Sequence, residues 1–467
     1  MALLDGLEAV EISLSKLERT FRLDSEFFKK EYIYIEKSLK EQKYYPLTDI
    51  VTVSDGNHMK ISDSFTEKGI PYYRGQDVSS FFIEQSTPIC ITESAFNKPV
   101  MKRSYLKKSD ILLSIVGTIG KLSLVKEDNK ATCSCKLAIL RPKQKDTNFI
   151  SIFLESKYGK LQIDRLTRGA VQKGLLLEDM DQLLVPYFSN EFKNKINSSI
   201  DTSFTKLEQS ETLYKQAENS LLEELGLLGY EPSVESISIK SFSTSFENSG
   251  RLDSEYYLPK YETIINRITS KNSKKLSQLV NIKKSIEPGS SAYQKEGIPF
   301  VRVSNLTKFG LSEPDIHLAK NIVDMKELIP KRDTILLSKD GTVGIAYAIK
   351  NEAEMITSGA ILHLSRKDES VQVEYLTLVL NSMLVQMQSE RDAGGSIIKH
   401  WKPSEIAEVV IPIIDMSIQI KIEENIKTSF ELKEESKVLL ELAKKAVEVA
   451  IEENEDKAIK FIGAYNE

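Results

Sequence analysis

The chain is written twice. Arg22-Leu23-Asp24-Ser25-Glu26-Phe27-Phe28 returns 229 residues later as Arg251-Leu252-Asp253-Ser254-Glu255-Tyr256-Tyr257. Gly69-Ile70-Pro71-Tyr72-Tyr73-Arg74 returns 228 residues on as Gly297-Ile298-Pro299-Phe300-Val301-Arg302. Ile111-Leu112-Leu113-Ser114, followed by Gly117-Thr118 and Gly120, returns at an offset of 224 as Ile335-Leu336-Leu337-Ser338, Gly341-Thr342 and Gly344. Gly169 near Lys173 with Pro186 then matches Gly395 near Lys399 with Pro412, and Phe204 matches Phe430, both at 226. Blocks in one order at a near-constant spacing mark a tandem duplication of a unit of roughly 225 residues. Any fold for these 467 residues is therefore built twice, in keeping with the two or three domains such a length suggests.

Each unit follows one plan. A polar segment after the Arg-Leu-Asp block, 31–43 and 261–275, has helical character. Short apolar runs between turn residues read as strands, 111–116 and 121–125 in the first copy and 334–338 and 344–349 in the second. Gly117 and Gly120, like Gly341 and Gly344, supply the positive φ of a tight turn between strands. A helix over 149–165 or 373–391, a glycine-containing loop and a last strand ending at Pro186 or Pro412 complete an α+β domain of about 150 residues. Asp24 and Asp253 are expected to cap the helices that follow them.

A long helix follows each domain. From 190 to 225 there is neither Pro nor Gly, and Ile200, Leu207, Tyr214 and Leu221 recur every seven residues, flanked by Ile196, Phe204, Ala217 and Leu225. The second copy, 417–458, places Ile422, Ile426, Phe430, Leu440, Ala443, Val447 and Ile451 on a comparable stripe, interrupted by Lys433 and Lys437. Such a seam wants a partner helix. Helices of roughly 50–60 Å can pair antiparallel within one chain as a spacer, or can serve oligomerisation. The Ser-rich stretch 233–249 links the copies.

Charge follows the same partition. The net charge is −5, yet residues 41–190 carry +4 and 271–416 carry +1, while 191–250 carry −5 and 417–467 carry −4. Basic domains beside acidic helices favour nucleic-acid contact by the domains. With 41% hydrophobic and 28% charged residues the composition is ordinary globular. Asp5 and Glu8 stand where a signal peptide would carry Lys or Arg, and no apolar run approaches 18 residues, so a cytoplasmic protein is expected. Cys90, Cys133 and Cys135 form no C-x-x-C pair and read as reduced filler. No phosphate loop, dinucleotide fingerprint, H-E-x-x-H or EF-hand loop is present, and no Asn- or Asp-Pro-Pro-aromatic run of an amino-methyltransferase. Gly117-Thr118-Ile119-Gly120-Lys121 reads as a turn rather than a phosphate cradle, because its twin lacks the Lys. These features describe a binding protein without catalytic, metal or cofactor chemistry of its own.

Two β-rich domains in tandem, each followed by a long helix, with Gly69-Ile70-Pro71…Arg74-Gly75-Gln76-Asp77 and Gly297-Ile298-Pro299…Arg302-Val303-Ser304-Asn305, the Leu-Leu-Ser-x-x-Gly-Thr-x-Gly turns and the Lys173 and Lys399 loops, resemble the DNA-specificity subunit of type I restriction–modification systems. The resemblance covers essentially the whole chain. It implies target-recognition domains over 1–188 and 251–414, spacer helices over 189–228 and 415–460 forming an antiparallel intrachain coiled coil, and a linker over 229–250. It also implies that each domain reads half of a split site on double-stranded DNA. The expected partners are two copies of a methyltransferase (modification) subunit and motor-nuclease subunits, which would carry S-adenosylmethionine, ATP and Mg. The same residues would suit the recognition subunit of a related two-part system that cuts on both sides of its site. A coiled-coil scaffold without a DNA role is the alternative outside this class, and a salt titration of DNA binding separates it.

The copies agree at Gly, Pro and apolar positions and differ between them, as expected if one scaffold reads two sequences. Candidate DNA contacts in the first domain are Arg74, Gln76, Asp77, Lys121, Gln172 and Lys173. In the second they are Arg302, Ser304, Asn305, Lys339, Thr342, Ser396, Lys399, His400 and Trp401. Arg74 and Arg302 could instead hold structural ion pairs, Asp77 reads as structural rather than base-reading, and His400 with Trp401 could contact DNA or cap the last strand. Asn305 departs from Asp77 and the second domain is barely basic, so the two domains need not hold DNA equally.

Overall fold

A computed structural model describes residues 9–17, 22–83, 88–144, 146–169, 172–319, 327–352, 354–395 and 398–464. The chain divides into two compact units, residues 1–206 with 434–467 and residues 207–433. The division runs through both long helices, so each unit holds one β-rich domain and half of each helix.

Strands apolar at every position have to be covered on both faces, and this decides the architecture. In the second unit Ile335 and Leu337 point into a cluster with Leu376 and Leu384 of the following helices. Leu336, one residue out of phase, points into another cluster with Val301, Met355 and Ile361. The sheet is thus packed between helices on one side and a smaller sheet on the other. Its order is Val280–Lys284, Ile361–Arg366, Ile335–Ser338, Ala346–Ala348, antiparallel throughout. The first unit repeats it with Val51–Asp55, Leu137–Pro142, Ile111–Ser114 and Leu122–Leu124. In each smaller sheet the Gly-Ile-Pro strand, Ile70–Tyr73 or Ile298–Val301, has one antiparallel and one parallel neighbour. The glycine before it allows close approach: a Cβ would lie 2.5 Å from the Ile91 carbonyl oxygen at Gly69 and 2.3 Å from that of Leu318 at Gly297. Cys133 is a buried filler in the first unit's core, and all three cysteines are free.

Several elements differ from the sequence expectation. The helix at 149–165 is two, Thr147–Glu155 and Lys157–Leu166, and that at 373–391 is also two, Val373–Asn381 and Met383–Asp392. Ser156 and Ser382 break them with extended backbone, each hydroxyl donating to a carbonyl three residues back (2.6 and 2.7 Å). Residues 273–275, expected at the end of a helix, form a strand against Val410–Pro412. The second long helix, Met416–Glu452, stops short of 458, because Asn454 accepts from the Lys457 amide (3.0 Å) and starts a separate helix, Glu455–Gly463.

The helix seam also differs. Ile200, Tyr214, Leu221, Ile426 and Val447 are buried, with Leu207 and Leu440 half-buried. Phe204 and Phe430 instead pack onto their own domains, 5.1 Å from Phe82 and 6.3 Å from Tyr347 between ring centroids. Serines occupy the middle. In the first unit Asn190–Glu224 and Met416–Glu452 run antiparallel, the Ser203 hydroxyl reaching the Ser436 carbonyl (2.8 Å) and hydroxyl (2.9 Å), and Lys206 pairing with Glu435. In the second unit Ser210 and Ser429 meet at 3.1 Å. The C-terminal residues complete the first domain: Glu455 accepts from the Ser189 amide and Glu448 from the Lys157 amide (2.9 Å). No helix among the described residues is long and apolar enough to cross a membrane.

Candidate nucleic-acid interface

In the first unit three turns meet at the end of the strand Ile111–Ser114. The turn at 74–77 lies against it, since a Cβ on Gly75 would sit 3.4 Å from the Ser114 hydroxyl oxygen. The loop at 168–174 is tied to it by the Leu175 amide donating to the Ile115 carbonyl (2.9 Å). Within that loop Arg168 and Gly174 exchange two backbone hydrogen bonds of 2.8 and 2.7 Å. Gly169 sits at φ +112°, and a Cβ there would fall 2.3 Å from the Gln172 carbonyl oxygen. The second unit closes the same loop between Gly394 and His400 (3.1 and 2.7 Å), with Gly395 at φ +117°. Its strand Lys399–His400 pairs directly with Asp340–Gly341 beside the Gly-Thr turn. Only glycine fits these corners without strain.

The loops divide the candidates between surface and interior. Gln76, Lys121, Gln172, Lys173, Ser304, Thr342, Lys399 and His400 are exposed. Asp77 clamps its own turn, one carboxylate oxygen accepting from the Arg74 amide (2.8 Å) and lying 3.2 Å from Arg74 Nε. Asn305 does the neutral equivalent, accepting from the Arg302 amide (3.0 Å) and donating to the Ser312 hydroxyl (3.2 Å). Arg302, whose own turn carries Asn305 in place of the carboxylate, pairs with Asp315 at 2.9 Å. Both arginines are thus engaged in ion pairs, and Asp77 and Asn305 are scaffold. Trp401 is 1% exposed and packs in the core, so its ring offers no surface to a ligand, and its amide anchors the loop to the Lys339 carbonyl (2.8 Å). Lys339 is almost covered and paired with Asp340. Ser396 lies outside the described residues.

Sequence reasoning missed Asp340, which faces both Lys339 and His400 Nδ1 (2.8 Å). Burial works against its charge, but hydrogen bonds from Lys339 and His400 hold its carboxyl below the ordinary value. Its position beside the Gly-Thr turn was the available signal. Arg168, 2.5 Å from the nearly buried Asp179, was missed too, although it flanks the loop glycine.

The Arg-Leu-Asp block stands beside this face. In the first unit a cleft of about 800 Å³ is lined by Arg22, Leu23, Lys29, Gly117, Gly169 and Lys173, among others. Asp24 and Asp253 make no side-chain cap, contrary to expectation. The guanidinium two residues earlier takes each carboxylate in a fork, at 2.8 and 2.5 Å for Arg22 and 2.9 and 2.7 Å for Arg251. These hydrogen bonds lower both carboxyls below the usual range. The same arginines reach the last carbonyls of the helices before the glycine loops, Arg22 to Arg165 (3.4 Å) and Arg251 to Asp392 (3.1 Å). Phe27 lies between Arg22 and Arg165 (4.5 and 4.3 Å to the ring centroid), and Tyr256 between Arg251 and Arg391 (4.6 and 5.0 Å).

Exposed amide, hydroxyl and ammonium groups on fixed turns can contact phosphates and base edges. No group of three or more His, Cys, Asp or Glu among the described residues is placed to hold a metal ion. Comparison with known proteins gives the arrangement its family. The specificity subunit of the type I restriction enzyme EcoBI from Escherichia coli is 30% identical over 122 residues, 26% of this chain and 25% of that relative. The S subunit of the type I restriction–modification system of M. genitalium matches with a TM-score of 0.38 at 14% identity, over 90% of this chain and 95% of its own. The HsdS subunit of Thermoanaerobacter tengcongensis matches with a TM-score of 0.30 at 13% identity, over 88% and 97%. A family model, the type I restriction modification DNA specificity domain, matches residues 39–219 and again 270–442, once on each copy. The chain belongs to that family.

Proposed function

We propose that this chain is the non-catalytic specificity subunit of a type I restriction–modification complex, reading an asymmetric DNA site in two unlike parts and docking two methyltransferase subunits. One observation carries the reading: matched turns present different side chains at equivalent exposed positions, Gln76 and Gln172 in one unit against Ser304 and Ile398 in the other, with His400 where the first unit has Gly174. Identical scaffolds with unlike exposed groups suit two unlike half-sites, with phosphate contacts setting position and base edges supplying specificity. Methyl transfer and cleavage then belong to partner subunits, with S-adenosylmethionine, ATP and Mg bound there.

The test exchanges the first domain for a relative's and sequences methylated DNA from a host carrying the system. Residues 434–467 belong to the first unit, so they travel with 1–188 in the exchange. One part of the target changes and the other stays. If both parts change, or neither does, independent reading is wrong. The lone chain should bind duplex DNA with a steep loss of affinity as salt rises and transfer no methyl group.

A further inference from the structure

The longest identical stretch among the repeat blocks is not buried. Arg-Leu-Asp-Ser-Glu stands at 22–26 and at 251–255. Structural work accounts for two of these residues: the arginine caps a helix end and stacks on an aromatic ring, and the aspartate holds the arginine. The others have no such employment. Leu23 is 83% exposed and Leu252 81%. Ser25, Glu26, Ser254 and Glu255 are exposed too, and their side chains make no hydrogen bond or ion pair among the described residues.

Exposed loop positions differ between the copies elsewhere, Gln76 against Ser304 and Gln172 against Ile398, apart from a few polar groups. A leucine open to water gains nothing from folding, so its retention in both copies points to an outside contact that both halves share. A base cannot be that contact, because the half-sites differ. Phosphate or a protein present twice remains. Lys173 with Lys399 and Thr118 with Thr342 are shared, exposed and suited to phosphate. An isobutyl group beside a glutamate is not, since it offers no donor and its neighbour repels the anion.

We propose that Leu23 with Glu26, and Leu252 with Glu255, are twin docking knobs for two copies of one protein partner, the modification subunit. Each copy would offer an apolar pocket edged by a basic group. This rests on the specificity-subunit reading above. The arginine fork and the stacked ring hold each knob in place, so little ordering accompanies docking. A knob at the rim of the cleft beside Gly117 and Lys173 also brings the partner to the DNA-facing loops.

The test uses the full chain with its modification subunit, in wild-type form and as the uncharged variants L23N, L252N and L23N/L252N. Both leucines are open to solvent, so the variants should melt as wild type does and, alone, keep its DNA affinity. Native mass measurement should give two partner copies for wild type, one for each single variant and none for the double variant. E26K/E255K should weaken partner binding roughly tenfold or more. A double variant still holding two copies with unchanged affinity overturns the proposal. So does intact stoichiometry with weakened DNA binding, which assigns the leucines to DNA. A wild-type chain that takes up neither partner nor DNA would instead sink the functional reading itself.

Discussion

His363 occupies the position that Ile139 fills in the first copy: in the sheet register His363 faces Leu336 as Ile139 faces Leu112. It is 5% exposed, with Nε2 2.8 Å from the Thr357 hydroxyl. Burial first, then the nearby Lys283 charge, push its pKa down from 6.5 to about 4. Because the folded value is depressed, the unfolded chain binds the proton more readily between pH 6.5 and 4. The stability this neutral histidine allows is therefore complete above about pH 6.5 and lost as pH falls towards 4, by at most about 3 kcal/mol. Denaturant unfolding of wild type and His363→Ile between pH 7 and 4.5 checks this. The second unit of wild type should weaken in that window and the variant much less, even if loss of the Thr357 partner lowers its stability at every pH. Equal slopes would remove His363 as the cause. The first unit, with Ile139 in this place, has no such group there.

At the scale of elements, the strands were legible because burial on both faces leaves a run such as 335–337 apolar throughout. The turns were legible because Gly169 and Gly395 have a single chemical solution. The helix breaks at Ser156 and Ser382 were not, since the apolar pattern continues across them and a serine hydroxyl satisfying a carbonyl leaves no trace in periodicity. The site was half legible. Its loops could be placed, but a side chain's direction could not, so Trp401 and Asn305 turned inward. The helix seam was legible in part: Ile200, Tyr214, Leu221, Ile426 and Val447 are buried, but the large residues Phe204 and Phe430 serve the domains, and Ser203, Ser210, Ser429 and Ser436, all buried, join the helix contacts. Small residues let helices approach closely, and each hydroxyl has a partner. Removing the Ser203 hydroxyl takes the partner from both the Ser436 hydroxyl and its carbonyl, whereas without the Ser436 hydroxyl Ser203 keeps its bond to the Ser436 carbonyl. Ser203→Ala should cost about 1 kcal/mol and Ser436→Ala less, and the double variant less than their sum. Ser203→Leu should cost about 1–3 kcal/mol through overpacking. Strict additivity in the alanine cycle would mean the hydroxyls do not act as a pair.

For the molecule as a whole, the helices are the continuous elements that begin in one unit and end in the other: Asn190–Glu224 passes from first to second after Lys206, and Met416–Glu452 returns after Lys433. If each unit reads one half-site, the number of residues in these helices sets the number of unread base pairs between the halves. Seven residues inserted after Lys206, matched by seven between Lys433 and Glu434, keep both apolar stripes in phase and add about 10 Å. At about 3.4 Å per base pair the target spacer should grow by about three base pairs, with both recognised parts unchanged. A single insertion after Lys206 behaves differently, because the antiparallel mate cannot follow and contacts such as Ser203 with Ser436 or Ser210 with Ser429 lose register. Modification should then fall sharply. Methylated-DNA sequencing from hosts carrying each variant reads spacer and activity together. Full activity at the original spacer in the matched variant would show that helix length does not set the distance between the halves.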